Sequence, residues 1–304
     1  MALSVTEMLS RGALYFDGAM GTQLQALGLR AGETPESWNL ALPGNVRGVH
    51  EAYLQCGAQV ITANTFGANP YRHPTDWESL ILSGVGIARE AIAAEHAQAF
   101  AAMDIGPIGQ LLAPNGELAF EHAVSMFRQM ARSGIAAGCD LLLIETMTDL
   151  REVKAAVLGC REALATAKRP TPIFVSMSFD VNGRLLTGAD VEGAAAMLSS
   201  MEGVSAIGLN CGSAPDALLP VVKRLLAVCG DKPVFFMPNA DLPVERDGAT
   251  IFPTTREDFA RGMAEAARMG VRGLGGCCGT SPEYIEAVLS ATRPILEGGA
   301  DDGA

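Results

Sequence analysis

Charged residues are scarce in this chain, and basic residues are scarcer than acidic ones. Charged side chains make up 18% of the 304 residues, and 34 Asp and Glu against 22 Lys and Arg give a net charge of −12. Proteins that bind nucleic acid or anionic membranes need a basic surface, so the charge balance argues against both kinds of partner. The low charge, beside a hydrophobic content of 49%, indicates a large buried core rather than extended disorder.

Hydrophobic runs long enough to cross a bilayer are missing. No apolar stretch approaches the roughly 20 residues of a membrane-spanning helix. The start, MALSVTEMLSRGAL, lacks the charged beginning and apolar run of a signal peptide. The seven cysteines are an odd number and lie in apolar runs and glycine turns, unlike the framework of a short secreted protein. We therefore expect a cytoplasmic protein whose thiols stay reduced.

Linkers and low-complexity segments are also missing, and one unit recurs along the chain instead. Each copy is an apolar, β-rich run that ends in small or polar residues and is followed by a stretch of helical period. The candidate strands start roughly 27 to 46 residues apart, which leaves room for a helix after each one. The eight predicted strands are Ala13–Ala19, Gln59–Thr65, Ala102–Pro107, Asp140–Thr146, Pro172–Phe179, Ala206–Cys211, Pro233–Ala240 and Arg272–Cys278.

Helical periodicity is clearest in four of the stretches between these strands. Apolar residues recur there at steps of three and four. Asp149, Pro215 and Thr255 are start signals, and Gly230 and Gly270 are stop signals. The four predicted helices are Thr148–Ala165, Ala189–Met201, Pro215–Val228 and Arg256–Met269.

Eight β-then-α units in a row predict an α/β fold with a parallel sheet inside and helices outside. Eight is the number that closes a (β/α)8 TIM barrel. A doubly wound open sheet is the alternative, but it normally has fewer strands, and no GxGxxG follows the first strand. We predict one barrel domain over residues 1–296 and a flexible tail over residues 297–304.

Three of the seven cysteines fall at the carboxyl ends of strands, where a barrel of this kind carries its function. Cys211 follows strand six, and the adjacent Cys277 and Cys278 follow strand eight. One strand separates the two positions, so three thiolates can converge on one Zn²⁺ and leave a fourth tetrahedral position open. The adjacent pair can share a metal only if the chain turns there, which the flanking glycines allow.

Spacing alone leaves the role of these cysteines open. The chain has no CxxC or HxxxH pattern, so small buried cysteines packed near the barrel top, or a redox pair, are alternatives to zinc. The other cysteines are expected to be packed free thiols: Cys56, Cys139, Cys160 and Cys229.

Two carboxylates, Asp17 and Glu145, end strands one and four on opposite sides of the barrel mouth. They suit acid–base chemistry or the binding of an ammonium group, and they equally suit capping or orienting roles. No Ser/His/Asp set is indicated, because the histidines lie away from the strand ends: His50, His73, His96 and His122.

The motifs at the strand ends resemble the homocysteine S-methyltransferase family in order and spacing, from about Arg11 to Leu289. Within that family, GGCCGT, the DIGPIG and NGEL stretch, and PESWNL are most similar to the homocysteine-binding module of the cobalamin-dependent methionine synthase branch. The motifs that carry the resemblance are FDGAMGTQL, ANTFGAN, DIGPIG, IETMTDL, GLNCG, PNA and GGCCGTSPEYI.

This resemblance implies a single Zn²⁺ held by Cys211, Cys277 and Cys278, and homocysteine as the thiol substrate. One departure is Asp241, which follows PNA where the family usually has glycine. The implied substrate-binding residues are Asp17, Gly18, Ala19, Glu145, Asn210 and Asn239.

The implied chemistry is methyl transfer to sulfur. A free aliphatic thiol has a pKa near 8.5, and coordination to zinc deprotonates it. We expect homocysteine to enter as the fourth ligand, release a proton and attack a methyl group in line, giving methionine. The favoured donor is a methyl-corrinoid (methylcobalamin) on a separate protein or module. A small onium donor, S-methylmethionine or a betaine-like compound, is the alternative, and a non-catalytic subunit that binds homocysteine or zinc is a third hypothesis.

Overall fold

Eight parallel strands form the centre of the molecule. The computed structural model describes residues 4–246 and 249–297. The strands are β1 (Leu14–Tyr15), β2 (Val60–Thr62), β3 (Phe100–Ile105), β4 (Leu141–Met147), β5 (Ile173–Met177), β6 (Val204–Cys211), β7 (Val234–Pro238), β8 (Val244–Arg246), β9 (Ala249–Ile251) and β10 (Gly273–Leu274). The central strands lie in the order β1-β10-β7-β6-β5-β4-β3-β2, and β8 and β9 form a separate antiparallel pair between β7 and β10 in the chain.

Hydrogen bonds between the first two strands complete the ring. Phe16 and Val60 form a parallel bridge. The N–H of Gln59 donates to the carbonyl of Tyr15 at 2.7 Å, and the N–H of Asp17 donates to the carbonyl of Val60 at 3.0 Å. Since β1 also pairs in parallel with β10, the sheet has the predicted (β/α)8 arrangement, and the alternative of an open doubly wound sheet is wrong.

The helices surround the sheet and follow the strands in the expected alternation. The four helices predicted from periodicity lie within two residues of the predicted bounds at each end, and α10 agrees at both ends. A short 3-10 turn, Pro35–Ser37, precedes α3. The helices are α1 (Val5–Arg11), α2 (Gly21–Ala26), α3 (Trp38–Ala41), α4 (Pro43–Gln55), α5 (Trp77–Ala94), α6 (Phe120–Ala137), α7 (Leu150–Leu164), α8 (Val191–Ser200), α9 (Pro215–Leu226), α10 (Arg256–Met269) and α11 (Pro282–Glu297).

Most of the predicted start and stop signals act as helix caps. The Asp149 side chain accepts hydrogen bonds from the first turn of α7, and the Thr255 side chain does the same for α10. Gly270 ends α10 in a left-handed conformation with φ 115°. Pro215 is the first residue of α9, but that helix ends at Leu226, so Gly230 is not its cap.

Aromatic rings from three strands fill the inside of the barrel. The ring centroids of Phe16, Phe174 and Phe235 lie 5.5 to 6.5 Å apart, and all three side chains are fully buried. The Phe235 ring lies against Gly208, where a Cβ atom would come within 2.6 Å of it. This layer is a packed core rather than a channel, so a ligand has access to the barrel only at its ends.

A second apolar layer lies between the sheet and the helices, and α6 and α7 approach each other closely within it. A Cβ atom on Gly159 of α7 would come within 2.6 Å of the Val124 carbonyl oxygen and 2.7 Å of the Arg128 nitrogen.

The four cysteines expected to be packed thiols are all free; Cys56 is half-buried, and three are buried: Cys139, Cys160 and Cys229.

No helix in the described parts of the chain is long and apolar enough to cross a membrane. Of the segment predicted as a tail at 297–304, only Glu297 is described, as the last residue of α11. The rest of that segment lies outside the described residues, and the division into one barrel domain and a tail stays a prediction.

The close approach of α6 and α7 predicts that Gly159→Ala destabilises the protein by about 1–3 kcal/mol, because the new methyl group meets backbone atoms that cannot move aside. The matched control is Gly86→Ala in α5, where a Cβ meets nothing within 4 Å. Alanine should stabilise that helix by roughly 0.5–1 kcal/mol. Urea unfolding of both variants measures the two effects, and equal effects would contradict the packing described.

Candidate metal and substrate site

Three thiols meet at the carboxyl-terminal end of the barrel. Cys211 is the last residue of β6, and Cys277 and Cys278 follow β10, with β7 between the two strands. Their sulfur atoms all lie within 4.8 Å of one another. Tetrahedral zinc with Zn–S bonds of about 2.3 Å needs sulfur atoms roughly 3.8 Å apart, so a small adjustment lets all three bind one ion. In the described residues, no other group of three potential metal ligands comes this close.

The turn that the adjacent cysteines need is present. The N–H of Thr280 donates to the carbonyl of Cys277 at 3.1 Å, which closes a four-residue turn. Gly279, the third residue of this turn, has φ +81°, as a type II turn requires. The Phe252 ring occupies the space where a side chain at position 279 would lie. Glycine at this position therefore lets Cys277 and Cys278 present both sulfur atoms to Cys211.

Hydrogen bonds among the three thiols favour one thiolate. The Cys211 sulfur accepts hydrogen bonds from Cys277 and Cys278, and these lower the pKa of Cys211 to about 3. The same contacts raise the pKa of Cys278 to about 11 and raise that of Cys277 well above its usual value. A cation that replaces the two shared protons would be bound by three thiolates. Thiolate sulfur is a ligand that zinc prefers.

Asn210 holds the end of β4 in place. Its side-chain oxygen accepts hydrogen bonds from the Thr146 N–H at 2.8 Å and the Ser176 hydroxyl at 2.7 Å. Its amide nitrogen donates to the Thr146 hydroxyl at 2.6 Å. Thr146 has φ +57°, an unusual conformation for a β-branched residue, and these hydrogen bonds stabilise it beside Glu145. Asn210 does not line the cavity described below.

Asn239 and Asp241 support the loop that carries Cys211. The Asn239 side chain donates to the Gly212 carbonyl at 2.8 Å and hydrogen-bonds to the Cys211 sulfur, and it does not line the cavity. Asp241 has φ +79°, which explains why glycine is usual at this position. Its carboxylate accepts hydrogen bonds from its neighbour's N–H and from the Ser213 hydroxyl at 2.9 Å, so aspartate keeps the turn.

A cavity of about 480 Å³ opens beside the thiols. The predicted site residues line it, except for Asn210 and Asn239, together with residues that the sequence analysis did not single out. Acidic, apolar and small residues share its surface. The lining includes Asp17, Gly18, Ala19, Glu36, Thr62, Phe66, Arg72, Asp104, Glu145, Cys211, Met237, Cys277 and Cys278.

The two predicted carboxyl groups lie in this cavity in different surroundings. Asp17 is buried, and its two oxygens accept hydrogen bonds from the N–H and the hydroxyl of Thr62, both at 2.7 Å. Burial raises the pKa of Asp17 to about 7. Burial, and then the nearby Cys211 and Asp17, raise the pKa of Glu145 to about 8. A cationic ligand would offset the cost of charging both groups.

The loop after β1 is tied to the turn that carries the cysteines. The N–H of Ala19 donates to the Thr280 hydroxyl at 3.2 Å, and that hydroxyl donates to the Cys277 carbonyl at 2.7 Å. The Tyr53 hydroxyl donates to the Ala19 carbonyl at 2.9 Å. A Cβ on Gly18 would come within 2.6 Å of the Thr280 hydroxyl, so only glycine fits there.

Sequence reasoning missed several members of this site. Asp104 begins DIGPIG at the end of β3, so the criterion that singled out Asp17 and Glu145 could have found it. Glu36 lies within PESWNL and accepts a hydrogen bond from the Gly67 N–H at 2.5 Å. Tyr53 and Arg72, on a helix and in a loop, carried no signal that would have indicated a role.

The sequence of this chain is similar to those of known proteins. A family model described as homocysteine S-methyltransferase matches residues 14–292. Methionine synthase of Mycobacterium tuberculosis is 32% identical over 304 residues, covering 95% of this chain and 25% of the relative. Methionine synthase of Mycobacterium leprae is 32% identical over 308 residues, covering 96% of this chain and 25% of the relative. The chain thus spans about a quarter of the length of these curated relatives.

A solved structure shares the fold. The metallated form of the homocysteine methyltransferase MmuM from Escherichia coli superposes with a TM-score of 0.76 at 24% identity, covering 92% of this chain and 96% of that chain.

The link through Thr280 predicts that Thr280→Val loses about 2 kcal/mol of unfolding free energy, because the buried Ala19 N–H and Cys277 carbonyl each lose a partner. Thr280→Ser is the matched control, since it keeps the hydroxyl and removes only a methyl group. Valine should be the more destabilising change in urea unfolding. If serine is as harmful as valine, packing rather than hydrogen bonding holds the two loops together.

Proposed function

Because the chain belongs to the homocysteine S-methyltransferase family, we propose that it transfers a methyl group to the thiol of L-homocysteine and releases methionine. The observation that carries this proposal is the group of three thiols beside an acidic cavity at the carboxyl end of the barrel. The barrel places both features where enzymes of this fold carry their chemistry.

Cys211, Cys277 and Cys278 would hold Zn²⁺, and their spacing and shared protons fit that role. Zinc on three thiolates supplies an open coordination position at which an aliphatic thiol, with a free pKa near 8.5, is held as its thiolate. Asn239 and the turn at Gly279 keep the three sulfur atoms together.

The cavity would bind the amino-acid part of the substrate. We assign Asp17 and Glu145 to the ammonium group, because both carboxyl groups are buried and acquire charge more easily beside a cation. Phe66 and Met237 offer apolar surface to the methylene groups. The other predicted contacts have supporting roles: Gly18 and Ala19 shape the wall, since the Ala19 N–H is already hydrogen-bonded to Thr280, and Asn210 and Asn239 orient the strand ends.

We favour a methyl-corrinoid, presented by a separate protein or module, as the methyl donor. The similarity to methionine synthases about four times as long supports this choice. A second support is exposed apolar surface in the connections after β2, β3, β5 and β7, at the end of the barrel that carries the cavity, because such surface suits a docking protein. These exposed side chains are Tyr71, Leu111, Val181, Leu186, Leu242 and Val244.

A small onium donor, S-methylmethionine or a betaine-like compound, is the second candidate. The observation that favours it is the density of acidic groups in the cavity, because a sulfonium or quaternary ammonium ion would be attracted to them. The acidic groups are Asp17, Glu36, Asp104 and Glu145.

Protein purified without chelator is expected to contain about one zinc per chain. Cys211→Ala, Cys277→Ala and Cys278→Ala should each lose the metal and keep the fold, as judged by metal analysis and circular dichroism. Cys229→Ala, which alters a buried thiol outside the site, should keep the metal. Homocysteine should add a sulfur neighbour to zinc in X-ray absorption spectra. A wild-type protein that methylates homocysteine without metal would overturn the proposal.

Docking of a corrinoid protein predicts that Leu186→Asp and Leu242→Asp raise the KM for that protein about 10-fold, since a desolvated charge at an interface costs on the order of 1.4 kcal/mol or more. Leu82→Asp, an exposed change on α5, is the control and should have no effect. Zinc content and homocysteine binding should be unchanged in all three variants. Rapid methionine formation from S-methylmethionine by the purified protein alone would instead support the small donor.

A further inference from the structure

Asp104 has a buried carboxyl oxygen for which the described residues provide no hydrogen-bond partner. The residue is 6% exposed, lies second to last in β3 and lines the cavity beside the thiols. Its Oδ1 atom is shielded from solvent and receives no hydrogen bond from any residue that the structure describes. Buried carboxyl groups are normally hydrogen-bonded, so one that lacks a partner on the wall of a cavity is a candidate to bind a ligand there.

The backbone N–H and carbonyl of Asp104 both have hydrogen-bond partners, so the missing partner concerns its side chain alone. The Thr65 hydroxyl donates to the Asp104 carbonyl at 2.8 Å and accepts from the Asp104 N–H at 3.1 Å. Gly106, two residues on, packs against the Phe66 ring with no space for a Cβ. The backbone of Asp104 is therefore held in one place, and its carboxyl group is the part that lacks a partner in the stretches of chain that the structure describes.

Asp104 differs in this respect from Asp17. Both oxygens of Asp17 already accept hydrogen bonds from Thr62, whereas Oδ1 of Asp104 accepts none within the described parts of the chain. Burial, followed by the nearby Glu145, Glu36 and Asp17, raises the pKa of Asp104 well above its usual value. Acidic groups this close together repel one another when they are ionised. A ligand with a positive charge and several N–H donors would reduce that repulsion and hydrogen-bond to more than one of them.

We propose that Asp104 binds the α-ammonium group of the thiol substrate and makes the site selective for α-amino thiols over thiols without an amine. This inference rests on the proposed function and adds a residue to it. An ammonium group has three N–H donors, so Asp104 can accept one while Glu145 accepts another. Asp17, which is already bonded to Thr62, then acts chiefly through its charge.

The test compares L-homocysteine with 4-mercaptobutanoate, which has the same thiol, chain and carboxylate but no amine. Calorimetric binding is measured on the zinc-loaded full chain, without any methyl donor. Wild type should bind homocysteine at least about 10-fold more tightly, as a buried charge-assisted hydrogen bond requires. Asp104→Asn, an isosteric change, should weaken homocysteine at least about 10-fold and change 4-mercaptobutanoate less than about 2-fold.

Asp76→Asn is the matched control, because that carboxyl group lies at the start of α5 and its side chain is 47% exposed. Binding of L-methionine gives a second readout, since the product keeps the ammonium group and has no thiol; Asp104→Asn should weaken it by a similar factor. Zinc content and thermal unfolding are measured on every variant.

The outcomes separate the two proposals. If wild type binds neither zinc nor homocysteine, the proposed function fails. If wild type binds both and Asp104→Asn keeps the wild-type preference for homocysteine over 4-mercaptobutanoate, the assignment of Asp104 is wrong and the proposed function stands. If both ligands weaken equally in Asp104→Asn while zinc is retained, Asp104 shapes the cavity and does not recognise the amine.

Discussion

Three sulfur atoms that follow two different strands lie within 4.8 Å of one another, and the loops at the carboxyl end of the barrel are arranged to bring them together. Parallel strands bring their carboxyl ends to one edge, which places Cys211 near Cys277 and Cys278 across β7. The remaining adjustment is local. Cys211 adopts φ +62°, and the turn at Gly279 directs two neighbouring side chains toward the same point. The strain at Cys211 is offset by the rigid sheet beneath it.

The order of elements and the positions of the thiols were accessible from the sequence because both follow from short-range rules. Strand ends rich in glycine and polar residues predicted where Cys211 and Glu145 would lie, and capping predicted Asp149 and Thr255. The antiparallel strands β8 and β9 were missed, since β8 is exposed at all three positions and shows no alternation of apolar and polar residues.

Hydrogen-bond partners could not be predicted, because they depend on contacts between residues far apart in the chain. Asn210 and Asn239 were expected at the substrate, yet their amides are committed to Thr146 and to the Cys211 loop. Asp104 shows the reverse case. Its sequence position resembles that of Asp17, and only the packed structure reveals that Thr62 hydrogen-bonds to Asp17 while Oδ1 of Asp104 has no partner among the described residues.

The bond between the Ala19 N–H and the Thr280 hydroxyl joins residues that are 261 positions apart. On the ribosome, the loop after β1 emerges early and stays without this partner until almost the whole barrel has been synthesised. Two of the three thiols leave the ribosome just before Thr280 does. A chain interrupted before Cys277 therefore retains Cys211 but lacks the other two thiols, so the group of three sulfur atoms forms only when the barrel is nearly complete.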